Sequence, residues 1–151
     1  MFGCSLTKRE WNKLLEGTDE VLNLDDSKFK AAIVSLILTK DTERAVKLVS
    51  RRFKVRTPSL EIGHTKGKKL ALAVYSVSSN SIAFAEMEHF FNPFVVLHEM
   101  YHAIRSTSGH HRGTEKKADK FALDYIDQYR KELIQSGLQT SFEAYIPPSV
   151  D

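Results

Sequence analysis

Cysteine is almost missing from this chain: Cys4 is the single one in 151 residues, so no intramolecular disulfide can form and stability must come from a packed core or a bound metal. Internal repeats and low-complexity tracts are also lacking, which excludes solenoids, propellers and linker-like disorder. No long apolar run is present. Ala31 to Leu38, with Ser35 inside it, falls far short of the roughly 20 residues that a membrane-spanning helix requires. No charged and apolar leader precedes Cys4, so a lipoprotein-type start is set aside, and the expectation is a soluble, cytoplasmic protein with no membrane partner. Nor is one sign of charge in strong excess. With 22 basic against 19 acidic residues the formal net charge is +3, and composition alone does not point to nucleic acid. What is present is a 42% hydrophobic share, enough for a core in one domain spanning residues 1–151.

Residues 1–58 read as helical. A short helix is expected from about Thr7 to Glu16. A second runs from Asp26 to Thr39, with Phe29, Ile33, Leu36 and Ile37 on one face and Asp25 or Asp26 as cap. A third runs from Thr42 to Phe53, with Asp41 as cap and Val46, Val49 and Phe53 turned inward. Strand patterns follow at Leu60 to Ile62, Lys69 to Val77 and Ser81 to Met87, with turns at Gly63 to Gly67 and Ser78 to Asn80. Asn92-Pro93 then opens a helix to about Thr107, because asparagine caps well and proline at the first helical position loses only an amide that had no partner. A final amphipathic helix carries Ala118, Phe121, Ala122, Tyr125, Ile126, Tyr129 and Leu133, and residues 138–151, with Pro147-Pro148, read as an extended tail. The expected class is α+β: N-terminal helices, a small mixed sheet of about three strands, and two C-terminal helices, with the chemistry in residues 59–137.

That chemistry starts at His98-Glu99-Met100-Tyr101-His102. Residues four apart lie on one helix face a turn from each other, so both imidazoles can reach one metal ion, and Glu99 sits beside it as a base for water. The bare pattern arises by chance in roughly 2% of shuffled chains of this composition, so context has to support it. Here it lies on a capped helix, after strands and before a second helix bearing carboxylates. A catalytic zinc site takes about three protein ligands and one water. Glu115, 13 positions past His102, can return through the loop bracketed by Gly109 and Gly113 as the third. Asp119, four residues on, shares its face and can fix the tautomer of His98 by accepting from its non-coordinating nitrogen. His110 and His111 remain alternatives, as a loop ligand or as donors to substrate or an oxyanion.

His98-Glu99-x-x-His102 followed by Glu115-x-x-x-Asp119 resembles the gluzincin signature of thermolysin-like zinc peptidases, and Glu115-Lys116-Lys117-Ala118-Asp119-Lys120-Phe121-Ala122 is similar to the second motif of the small ImmA/IrrE-type peptidases. Tyr101 stands where the first motif often has glycine. The resemblance spans about Ser59 to Leu133. It implies a zincin-like domain binding one Zn2+ and hydrolysing a protein or peptide. It further implies that the strand from Ser81 would be the cleft's edge strand, pairing with extended substrate, while Asp26 to Thr39 or Thr42 to Phe53 would back the sheet.

Other readings remain in view. A metzincin is excluded, because Arg105 and Ser108 stand where its glycine and third histidine belong. The two motifs also fit ordinary polar helix faces, with Glu115 and Asp119 as a solvated first turn. His64 and His89 have no partner spacing. Gly63 to Lys68 is one residue short of a phosphate loop and reads as a hairpin turn. Arg44, Lys47, Arg51 and Lys54 form a basic stripe, so the alternative function is a regulatory DNA-binding protein with a structural or vestigial zinc site. A latent peptidase whose tail covers its own cleft is a third possibility. Substrate identity and oligomeric state are not encoded in any local motif.

Overall fold

A computed structural model describes residues 7–63, 71–107 and 115–136. Among these residues the chain forms α1 (Lys8–Leu15), α2 (Thr18–Leu22), α3 (Asp26–Leu38), α4 (Thr42–Phe53), β1 (Ser59–Ile62), β2 (Ala73–Ser76), β3 (Ser81–Phe84), α5 (Met87–Phe90), α6 (Pro93–Thr107) and α7 (Glu115–Ser136). The architecture is mixed α+β: seven helices and a three-stranded sheet, in the order β1-β3-β2. No helix among the described residues is long and apolar enough to cross a membrane.

The helix starts follow local chemistry. The Thr7 hydroxyl accepts from Glu10 N while the Glu10 carboxylate accepts from Thr7 N, closing a capping box on α1. Asp25 accepts from Lys28 N at 2.9 Å and caps α3. Asp41 does not act as the expected side-chain cap of α4; its carboxylate turns to Arg44 Nη1 at 3.7 Å. Beside it, the Thr42 hydroxyl donates to the Phe90 carbonyl at 2.7 Å, tying α4 to α5.

Helix α3 departs most from its expected one-sided pattern. Every residue from Ala31 to Ile37 is buried, because α4, α6 and α7 all pack on it and leave no solvent side. The one polar side chain in that run, Ser35, accepts a hydrogen bond from the buried Trp11 indole N–H at 3.2 Å. Val46 and Val49 of α4 are buried as expected, but Phe53 is 42% exposed and only leans on Phe121 of α7, with ring centroids 5.9 Å apart. The two short helices α2 and α5 were not foreseen, and Met87 opens α5 where strand was expected to end.

The sheet corrects the reading of its strands. β3 pairs in parallel with β1 (Ser59 opposite Ser81) and antiparallel with β2 (Ala73 opposite Phe84), so it is the central strand and not the edge. All four of its residues are buried, as suits a strand flanked on both sides. β1 and β2 lie on opposite edges and do not pair with each other, so they are not the two arms of a hairpin; the turn expected at Gly63 to Gly67 lies, beyond Gly63, outside the described residues. The hairpin lies instead between β2 and β3, where Asn80 takes φ 47°.

Candidate active site

Three elements meet at the HExxH segment: α6, the start of α7 and the edge strand β2. Asn92 Oδ1 accepts from Phe94 N at 2.9 Å and Val95 N at 3.4 Å, with Pro93 as the first residue of α6. Val96, Leu97, Met100 and Ala103 turn that helix's apolar side into the core. His98 and His102 are thereby left on a half-buried side, with ring centroids 5.0 Å apart. Helix α7 is seated by Ala118, Ala122, Tyr125 and Ile126, all buried at helical spacing. The two alanines allow α7 to approach α6 closely, and Glu115 and Asp119 flank Ala118 at that crossing.

The sequence-derived residues come together. His98 Nε2 and His102 Nε2 are 3.3 Å apart. Glu115 straddles them, with Oε1 3.1 Å from His98 Nε2 and Oε2 2.9 Å from His102 Nε2. Asp119 Oδ1 lies 2.8 Å from His98 Nδ1, on the other side of the ring. Glu99 Oε1 accepts from the Tyr75 main-chain N–H at 2.8 Å, and Oε2 lies 3.9 Å from His98 Nε2. His110 and His111, like His64 and the expected tail, lie outside the described residues.

The donor set fits a zinc ion. Asp119 as a carboxylate only accepts, so the proton of neutral His98 sits on Nδ1 and the Nε2 lone pair points at Glu115, itself an acceptor. Lone pairs aimed at one another at these distances repel unless a proton or a metal ion lies between them. With zinc bonds of about 2.0–2.2 Å, a tetrahedral site separates its ligand atoms by about 3.3–3.5 Å, a spacing that the two imidazole Nε2 atoms match at 3.3 Å, while Glu115 stands slightly nearer, at 3.1 and 2.9 Å, through a different oxygen for each ring. One atom each from His98, His102 and Glu115 fall within 4.8 Å of one another. Glu86, Glu88 and His89 also gather this way, but all three come from one short stretch at α5, with both glutamates exposed.

A cleft of about 220 Å³ opens beside these groups, lined by Ala71, Leu72, Ala73, Phe94 and Val95 together with His98, Glu99, Glu115 and Asp119. Phe94 was legible as a neighbour of His98 from its four-residue spacing, and its ring lies 6.1 Å from the imidazole. The contribution of Tyr75 was not legible, because it comes from main chain and main chain leaves no mark on residue identity. The basic stripe is divided: Lys47, Arg51 and Lys54 are exposed, whereas Arg44 is half-buried. Arg52 beside them donates to the carbonyls of Leu22 and Leu24 at 3.2 Å and lies over the Phe29 ring. No family model matches this chain, and no curated protein or solved structure does so either.

Proposed function

We propose that this protein is a zinc-dependent peptidase with a zincin-like arrangement, in which His98, His102 and Glu115 hold the metal and Glu99 is the general base. The observation that carries this reading is the convergence of two imidazoles and one carboxylate from two helices, with a second carboxylate held beside them. When bound, zinc supplies Lewis acidity, lowering the pKa of its water to about 7 and stabilising negative charge on a carbonyl oxygen. Glu99 takes the proton from the attacking water, and its Oε2 faces the gap between base and imidazole. The water oxygen adds to the scissile carbonyl carbon, the C–N bond breaks, and Glu99 returns the proton to the leaving amine. Asp119 keeps the His98 proton on Nδ1 and the Nε2 lone pair directed inward.

The substrate edge in this reading is β2. An extended peptide laid along it passes the apolar wall of Leu72, Phe94 and Val95, which suits an apolar side chain next to the cut. Against the alternative of a DNA-binding protein stands the division of the basic stripe: Arg44 is half-buried and turned to Asp41, and Arg52 beside it is engaged by the Leu22 and Leu24 carbonyls. A structural zinc site also has no use for Glu99.

The test compares wild type with Glu99→Gln for zinc content and for hydrolysis of an unstructured protein. Zinc should remain near one per chain while turnover falls by about 10²–10⁴-fold. Equal turnover removes Glu99 from the mechanism. A protein without zinc that binds nucleic acid with a steep salt dependence supports the alternative instead.

A further inference from the structure

In an antiparallel pair, residues alternate between those whose N–H and C=O face the partner strand and those whose groups face away. Ala85 N donates to Leu72 O at 2.9 Å, so with Ala73 opposite Phe84 and Tyr75 opposite Ile82, the groups of Val74 and Ser76 face β3 while those of Ala73 and Tyr75 face outward. The outward N–H of Tyr75 ends on Glu99 Oε1 at 2.8 Å. Ala73 is among the residues that line the cleft.

Resting on the peptidase reading above, we infer that the Tyr75 main-chain N–H is the positioning group of the catalytic base, and that it divides the β2 edge into two jobs. At Tyr75 the edge holds Glu99. One outward position back, about 7 Å along the strand, Ala73 offers its N–H and C=O to an extended substrate. A carboxylate next to an open cleft has several rotamers available to it. A charge-assisted hydrogen bond from a strand amide favours one of them, in which Oε2 lies 3.9 Å from His98 Nε2. The strand that aligns the peptide thus also aligns the base, so the distance between the scissile carbonyl and the proton acceptor is set by one rigid piece of backbone.

Proline provides the perturbation. On an edge strand it is tolerated where the lost N–H faces away from the ladder, as it does at 73 and 75. Tyr75→Pro should lower kcat by roughly 10- to 100-fold with KM and zinc content near wild type. Ala73→Pro should raise KM with a much smaller change in kcat. Tyr75→Ala keeps the N–H but loses the phenol that donates to Asn80 Oδ1 at 2.8 Å, so its kcat should fall much less than that of Tyr75→Pro, and an equal fall in both variants would assign the effect to the side chain and overturn the inference.

A second readout does not depend on turnover or metal. In the metal-free protein the Tyr75 amide should exchange slowly with deuterium, and Glu99→Ala should speed it by at least about tenfold while Val74 and Ser76, whose amides face β3, are unchanged. Tyr75 exchange indifferent to Glu99→Ala overturns the inference even if Tyr75→Pro fails to fold. Wild-type kcat in a folded Tyr75→Pro protein overturns it as well. An amide that responds to Glu99→Ala in a protein that hydrolyses nothing supports the contact and sinks the peptidase reading, so the two failures are distinguishable.

Discussion

Asp119 meets the candidate metal site through His98, which makes its removal a probe of whether the pair works as a unit. Its Oδ1 accepts from His98 Nδ1 at 2.8 Å, and its side chain is 25% exposed while that of His98 is 13% exposed. Loss of such an outer partner lowers metal affinity by about 10–100-fold. At about 1.4 kcal/mol per tenfold, this corresponds to roughly 1.4–2.8 kcal/mol, and the partial exposure of Asp119 favours the lower half. Zinc affinity is measured by competition with a chromophoric chelator for wild type, Asp119→Asn and Asp119→Ala. Asparagine keeps an acceptor oxygen without the charge, so its affinity should fall between the other two. With zinc in excess, the melting temperature of the alanine variant should drop by roughly 3–10 °C more than that of its metal-free form relative to wild type. An Asp119→Ala protein that binds zinc within about twofold of wild type refutes the claim that Asp119 tunes His98 for a metal.

Two further outcomes test the scaffold. Ser35→Ala leaves the buried Trp11 indole N–H without its acceptor, and should lower unfolding free energy by about 1–3 kcal/mol in urea titrations followed by tryptophan fluorescence. Burial first, and the nearby Asp26 carboxylate next, push the Tyr125 hydroxyl well above the ordinary tyrosine range. The folded state therefore keeps that proton at pH values where the unfolded chain has lost it. Its stabilising contribution is complete below the unfolded value of about 10 and is lost as pH rises from there toward the folded value. Tyr125→Phe should flatten the fall of stability above about pH 10. Some slope should remain, because burial also raises Tyr129. An unchanged alkaline profile in the phenylalanine variant would rule Tyr125 out as its source.

The site was legible where its signals were local. Asn92-Pro93 marks the start of α6, the four-residue spacing of His98 and His102 places them one turn apart, and Glu115 and Asp119 share a face of α7 by the same rule. What proved illegible was set by partners distant in sequence. Strand order depends on which edges meet, so nothing within Ser81 to Phe84 tells that β3 is central. The apolar residues of α3 read as one stripe because amphipathic patterning assumes a wet side, and here neighbouring helices remove it. Asp41 and Phe53 each had the right residue type for cap and core, but a competing arginine and a shallow position against Phe121 decided otherwise.

Encasement of α3 has a bearing on how the protein is made. Contacts from Lys28 to Glu132 and Lys30 to Asp124 span 104 and 94 positions. At ordinary translation speeds of about 5–20 residues per second, the oily flank of α3 waits for roughly 5–20 s on the ribosome before α7 emerges to cover it. During that interval the apolar flank of α3 lacks its native cover. Glu115 and Asp119 lie on the same late helix, so one segment brings both the cover of α3 and the two carboxylates that meet His98.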